Sequence, residues 1–184
     1  MVLLSGSIPA RFPEDRDLEE DLGLWWVIHT KPNCEKQVAT YLLNRGISYF
    51  MPLYLKKTRF GNLGRIRTSE VPLFSGYLCF ALDRPQHVQL YDTKKFVRII
   101  KVDDQESFVR ELKNVTAAVR TEQDVQVQGG LVPGKRVLIL DGPLEGTEGV
   151  VVKHRGVQRL ALSVRMFNQT VLVKLDPLTR VELL

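Results

Sequence analysis

The sequence predicts an α+β protein in which an antiparallel sheet with flanking helices is followed by a small five-stranded β-barrel. Two observations carry this prediction. Strand-like runs alternate with runs of helical periodicity up to residue 119, whereas from residue 131 onward only short β-branched runs remain, separated by glycine-containing turns. Strands this short bury little surface as an open sheet, so we expect them to close into a barrel.

Changes in composition divide the chain into four parts. Residues 1–22 carry six acids and two bases without apolar periodicity, which predicts a disordered acidic leader. Residues 23–119 form the first domain, and the polar segment 120–130, which ends in paired glycines, is interpreted as a linker. Residues 131–184 then form the barrel.

The first domain opens with a strand and a helix. Residues 24–30, "LWWVIHT", are aromatic and β-branched and therefore suit a buried strand. Cys34, Val38 and Leu42 then recur every four residues, as on one face of a helix. Two extended segments flank the turn sequence "GNLG" at residues 61–64, which predicts a long hairpin with a basic tip.

Three further elements complete the first domain. Residues 84–95 are polar with some helical spacing, and residues 96–102, "FVRIIKV", read as a strand. Residues 103–115, "DDQESFVRELKNV", begin with acids that favour a helix N-terminus. The order of elements predicts helices packed on an antiparallel sheet.

The formal net charge of +5 is unevenly distributed. Because the leader is acidic, the rest of the chain carries about +9. From Lys31 to Arg67, eight bases face the single acid Glu35. This asymmetry favours a nucleic-acid surface, although a solvated basic face is the alternative.

Other classes of function find little support. The four glycines of "GPLEGTEGVVVKHRG" match no phosphate-binding pattern, and three valines follow the third of them where a P-loop requires a helix. Cys34 and Cys79 are predicted to be free thiols, and the three histidines are scattered, so we expect no metal and no cofactor. No catalytic constellation can be assembled, and therefore we expect no enzyme activity. Lacking a membrane span or signal peptide, the protein is predicted to be cytoplasmic. We also expect it to be a monomer.

Four segments, in order, resemble the NusG/RfaH family of transcription elongation factors. These are "WWVIHT", "EVPLFSGYLCF", "VPGKRVLILDGPLEGTEGVVV" and "LSVRMFNQTVLVKLDPLTRVELL". The resemblance covers residues 24–184 and implies a domain of the NGN type followed by a KOW barrel. The short passage from the first helix into "ISYFMP" resembles the compact specialised paralogues of the RfaH and UpxY type. Ser75 stands where the family usually has proline, and "KKFVRIIKV" lacks the usual glycine.

The resemblance implies a non-catalytic factor that docks on the clamp helices of the RNA polymerase β′ subunit, reaches toward the β subunit and suppresses pausing. It assigns polymerase contact to His29, Phe74 and Tyr77. From the strand pattern alone, Phe74 and Tyr77 serve equally well as core aromatics, and His29 as a solvent-facing residue at a strand end.

The resemblance further implies two more binding surfaces. Contact with the non-template DNA strand is assigned to residues around the first helix and before the fourth strand, namely Lys31, Tyr41, Asn44, Arg45, Lys94 and Lys95. A solvated helix face is the alternative for these positions. In the barrel, Met166 and Phe167 are assigned to a partner such as a small-subunit ribosomal protein or Rho, with a core role as the alternative for Phe167. Because the barrel is rich in valine and interrupted by glycine, we expect it not to refold into helices.

A different class of function stays open at this point. KOW barrels also occur in ribosomal proteins, and a basic hairpin suits RNA, so the chain is alternatively a ribosome-associated or translation-related RNA-binding protein. The apolar segment "LFSGYL" discriminates between the two, because a module that binds only RNA needs no apolar docking surface.

Overall fold

The computed structural model describes residues 8–60, 65–83, 90–91, 93–121 and 125–184. The fold is mixed α+β with antiparallel sheets, in agreement with the predicted class. The chain divides into one compact unit that ends at Asp103 and a second that begins at Asp104. None of the described helices is both long and apolar enough to cross a membrane.

The first unit is built on an antiparallel sheet with strand order β1-β3-β6-β2-β7. Its elements are β1 (Arg11–Phe12), β2 (Leu24–Thr30), α1 (Glu35–Leu43), β3 (Ser48–Phe50), β4 (Leu53–Phe60), β5 (Arg65–Pro72), β6 (Tyr77–Leu82) and β7 (Phe96–Lys101). α1 packs on β3 and β6. Val38, Ala39 and Leu42 of α1 are fully buried in one core with Ile28 and Phe80 of the sheet. This agrees with the four-residue repeat in the sequence.

β4 and β5 form a separate two-stranded sheet. The sequence predicts two continuous extended segments on either side of the turn, but the chain leaves the strand conformation at Met51–Pro52 and again between Leu73 and Gly76. Proline has no N–H to donate to a ladder, and Gly76 has a φ of +84°, so both positions favour a break. The turn predicted at residues 61–64, and most of the predicted helical stretch 84–95, lie outside the described residues.

The prediction of a disordered leader differs from the structure over residues 8–22. β1 pairs with β3, and Leu18 is only 5% exposed. The indole N–H of the buried Trp25 donates to the Leu18 carbonyl at 3.1 Å, and the Arg11 guanidinium pairs with the Asp21 carboxylate at 3.0 Å. The apolar residues of this segment are isolated and show no periodicity, so the sequence pattern does not predict that the segment packs on the sheet.

The second unit contains α2 (Gln105–Thr121) and a six-stranded antiparallel sheet of order β13-β9-β10-β11-β12-β8. Its strands are β8 (Val125–Gly129), β9 (Arg136–Ile139), β10 (Glu148–His154), β11 (Val157–Val164), β12 (Gln169–Lys174) and β13 (Val181–Leu183). The five strands predicted after residue 131 are all present. Among the described residues no pairing joins the outer strands β8 and β13, so closure into a barrel is not confirmed.

Two features at the start of this unit differ from the sequence interpretation. β8 lies in the segment taken as a linker, and it pairs with β12 so that Val127 faces Val171. Its valines alternate with glutamines, a two-residue period concealed by the polar composition. α2 is assigned to this unit and packs on β11. A helix over one face of a small sheet covers apolar surface that closure of the sheet would otherwise bury.

Candidate functional site

His29 and Tyr77 lie side by side at one end of the first sheet. β2 pairs with β6 so that His29 is directly opposite Tyr77, which sends both side chains to the same face. Their rings stack with centroids 5.0 Å apart and planes 13° from parallel, and both residues are half-buried. A partly exposed aromatic pair of this kind is suited to anchoring a protein partner.

The turn at Gly76 leads directly into this pair. The φ of +84° at Gly76 lies in the left-handed region that favours glycine. The Gly76 carbonyl accepts the Thr30 N–H at 2.9 Å, and the Tyr77 N–H donates to the Phe74 carbonyl at 3.1 Å. On its other side, the Gly76 N–H donates to Oε1 of Glu35 at 2.7 Å. The backbone that carries Tyr77 is therefore held from β2 and from α1.

Phe74 does not share the exposure of this pair. Its side chain is 2% exposed, which places it in the core and not on the surface expected for a polymerase contact. The reason is local: residues 73–76 form the turn between β5 and β6, so the alternation of faces along a strand does not apply to them. The alternative of a core aromatic, left open by the sequence, describes Phe74.

The three lysines predicted to contact DNA come together where β2 ends and β7 begins. The Lys31 N–H donates to the Lys95 carbonyl at 2.9 Å, because Thr30 pairs with Phe96 at the adjoining strand ends. Lys94 has a φ of +52°, and all three lysines are exposed. Exposed lysines that meet at strand ends form a local cationic surface able to neutralise phosphates.

Tyr41, Asn44 and Arg45 form a second group at the C-terminal end of α1. The Arg45 guanidinium carbon lies 3.6 Å from the centre of the Tyr41 ring, a cation–π contact between residues four apart. Asn44 and Arg45 are exposed, whereas Tyr41 is half-buried. One face of the Tyr41 ring is therefore covered by Arg45. Lys31 precedes the N-terminal end of α1, whereas this group lies at its C-terminal end, and the nine residues of the helix span about 13 Å.

The β4–β5 hairpin is a basic surface that the sequence analysis noted but did not assign to a site. Lys56, Lys57, Arg59, Arg65 and Arg67 are all exposed, and within the described part of the chain none of them forms an ion pair. Leu55 and Ile66 lie on one face of the hairpin and are each 65% exposed. Lys56, Thr58 and Arg67 on the opposite face are exposed as well, so this part of the hairpin is uncovered on both faces. The dense run of bases around a turn was the signal for this surface.

In the second unit, Met166 and Phe167 lie in a 3-10 turn that spans Arg165–Phe167. Met166 is half-buried, but Phe167 is 3% exposed and meets the Phe108 ring of α2 edge-on at 6.0 Å. Nε of Arg165 donates to Glu111 at 2.5 Å and reinforces the same contact. Asn168, which follows this turn, adopts the left-handed conformation with a φ of +50°.

A cleft of about 330 Å³ in the second unit runs between α2, β10 and β11. Arg110, Arg136 and Arg165 line it together with two glutamates. Arg136 is paired with Glu148 and Arg165 with Glu111, while Arg110 donates to the Ser107 hydroxyl. Because these cations already have partners, the cleft is poorly suited to binding an anion.

Among the described residues, neither cysteine belongs to a group that could hold a metal ion. Cys34 and Cys79 are free thiols, and burial raises the pKa of Cys79 well above its usual value. In the part of the chain that the structure describes, no group of three His, Cys, Asp or Glu side chains is arranged to hold a metal ion.

Comparison with known proteins yields one family. Residues 23–132 match the family model NusG, described as transcription termination factor nusG, which is more than half of the 184 residues. The match begins one residue before β2 and extends past β8. No curated protein matches the chain.

Proposed function

The chain belongs to the NusG family of transcription factors, whose members bind RNA polymerase, and on that premise we propose that it is an elongation and antitermination factor. In this proposal it docks on the clamp helices of the β′ subunit, reaches the β subunit and suppresses pausing. The observation that carries the proposal is the stacked and partly exposed His29–Tyr77 pair beside a glycine turn.

The docking surface suits a helical partner. Half-buried aromatic rings offer a large apolar contact area at a low entropic cost, because their neighbours already restrict their rotamers. Phe74 supports this surface from the core and does not touch the partner. Arg98 of β7 lies directly opposite His29 and is exposed, so this surface also offers a cation to the partner beside the aromatic pair.

We assign DNA contact to α1 and the lysines near its start. Lys31, Lys94 and Lys95 are exposed and are suited to phosphates of the non-template strand, as is Arg45. Tyr41 packs against the core and carries Arg45 on one face of its ring, so it is suited to base stacking on that face once Arg45 moves to a phosphate. The short connection between Leu43 and Ser48 supports the compact, specialised type of family member.

We assign recruitment of a partner such as a ribosomal protein or Rho to the second unit. Met166 is available at its half-buried position, but the contact with Phe108 leaves Phe167 accessible only after α2 moves away. In this arrangement Phe167 stabilises the sheet and its helix, and Met166 is the residue open to a partner.

The test is binding of the full chain to core RNA polymerase, with Tyr77→Ala and His29→Ala as variants. Truncation of a central anchor costs about 2 kcal/mol or more, so we expect affinity to fall about 30-fold for Tyr77→Ala. Val157→Ala, at an exposed position in the second unit, is the matched control and is expected to bind like the parent. Unchanged affinity for both aromatic variants would contradict the proposal.

A second candidate function, ribosome-associated or translation-related RNA binding, is favoured by the uncovered basic hairpin. Five exposed cations on a two-stranded ribbon are suited to phosphates whatever the partner of the aromatic pair. The two functions are separated by a titration with structured RNA in the absence of polymerase. Tight RNA binding that is lost with Lys57→Ala and Arg59→Ala, together with no binding to polymerase, would favour this second function.

A further inference from the structure

Glu35 is a buried carboxylate that none of the assigned surfaces includes. Glu35 is the first residue of α1 and is only 4% exposed. A buried carboxylate is costly unless it accepts hydrogen bonds. Its Oε1 accepts the backbone N–H of Gly76 at 2.7 Å, across 41 residues of sequence. The position also favours the negative charge, because the N-terminus of a helix carries a partial positive charge.

This hydrogen bond acts at the turn that carries the aromatic pair. Gly76 bonds to Thr30 through its carbonyl and to Glu35 through its N–H, so the peptide units on either side of its Cα are both fixed. A Cβ placed at Gly76 would lie 3.8 Å from the His29 ring, which shows how closely the turn lies behind that ring. Tyr77 is the next residue, and its ring stacks on His29.

We propose that Glu35 is the positioning residue of the docking surface, because its carboxylate holds the Gly76 turn in the conformation that stacks Tyr77 on His29. Glu35 does not contact the partner itself. The role rests on the proposed function, in which the His29–Tyr77 pair contacts RNA polymerase. It also joins the two surfaces physically, since Glu35 belongs to the helix assigned to DNA and Gly76 to the turn assigned to polymerase.

Without the carboxylate, the Gly76 N–H loses its acceptor and the turn gains freedom. A surface that must be ordered during binding loses affinity relative to one that is ordered beforehand. We expect Glu35→Ala to weaken polymerase binding about tenfold, which is the effect of one charge-assisted hydrogen bond. Glu35→Gln keeps an amide oxygen at the same reach, so its affinity is expected to stay within about twofold of the parent.

The experiment uses the full chain and three readouts: affinity for core RNA polymerase, the melting temperature, and the NMR resonances of the Gly76 amide and the Tyr77 ring. Val38→Ala is the matched control, because Val38 is fully buried in the same helix and makes no hydrogen bond to the turn. We expect Glu35→Ala to shift both resonances and weaken binding, Glu35→Gln to restore both, and Val38→Ala to lower only the melting temperature.

Several outcomes would overturn the proposal. Unchanged Gly76 and Tyr77 resonances in Glu35→Ala would mean that the carboxylate does not position the turn. Equal losses of affinity in Glu35→Ala and Val38→Ala would reduce Glu35 to a residue that only stabilises the fold. If Tyr77→Ala weakens binding but Glu35→Ala does not, the proposed function stands and the role of Glu35 fails. If Tyr77→Ala and His29→Ala both bind normally, the docking surface fails, and the role of Glu35 in docking fails with it.

Discussion

Phe74 and Tyr77 are three residues apart but differ in burial, and the proposed function gives them different roles that mutation can separate. Phe74 is 2% exposed, so truncation to alanine opens a cavity in the core and costs about 3–5 kcal/mol of folding free energy. In a unit of this size each 1 kcal/mol lowers the melting temperature by about 4–8 °C, so we expect a fall of about 12 °C or more. Tyr77 is half-buried, and its truncation should cost little stability but about 30-fold in polymerase affinity.

Because Phe74→Ala risks unfolding the first unit, the decisive comparison uses Phe74→Leu beside Phe80→Leu. Phe80 is fully buried in the same unit and lies away from the turn, in the middle of β6. Thermal melts and titrations against core polymerase are measured for both variants. We expect similar falls in melting temperature and affinities close to that of the parent. A Phe74→Leu variant that melts like the parent yet binds about 30-fold more weakly would show that Phe74 is a contact residue, and would refute the role inferred from its burial.

Three further predictions concern the DNA surface, the leader and α2. Replacing Lys31 and Arg45 by alanine should reduce the slope of log affinity against log salt concentration for an elongation complex by about 1.4, at about 0.7 per phosphate contact on a single strand. Binding to DNA-free polymerase should stay intact, and Lys153→Ala, at an exposed position, is the control. An equal loss of affinity for the elongation complex and for DNA-free polymerase would contradict the assignment. Leu18→Ala should destabilise the first unit by about 2–3 kcal/mol in a denaturant titration, whereas Leu22→Ala, at a side chain that is 77% exposed, should leave its stability unchanged. Unchanged stability in Leu18→Ala would support an unpacked leader. Asp104 caps the N-terminus of α2 by accepting the Ser107 N–H at 3.0 Å, and hydrogen bonds from the Ser107 hydroxyl and backbone lower the pKa of Asp104 below 3.8. The stabilising effect of Asp104 on α2 should therefore be present above pH 3.8 and be lost as the pH falls through the lowered pKa. Asp104→Ala should remove this pH dependence from the melting temperature of the second unit, and an unaltered pH dependence would count against the capping role.

The order of most elements in the first unit could be predicted from the sequence alone. The spacing of Val38 and Leu42 predicted α1, and the run from residue 24 to residue 30 matches β2. These signals are local, since the period of apolar residues follows from which face of one element is buried. The same reasoning found the short strands after residue 131, because valine runs and glycine turns depend only on neighbouring residues.

Tertiary structure decided the contacts between residues distant in the sequence. Nothing local reveals that Glu35 reaches Gly76, that His29 faces Tyr77 or that Phe108 covers Phe167. The sequence alone does not decide whether Phe74 is an exposed anchor or a core residue, whereas the turn after β5 places its side chain in the core. The packing of residues 8–22 also depends on a distant partner, because β1 pairs with β3. Local periodicity determines which elements form, whereas pairing and burial depend on the whole chain, because each side chain is buried by residues that the sequence places far away.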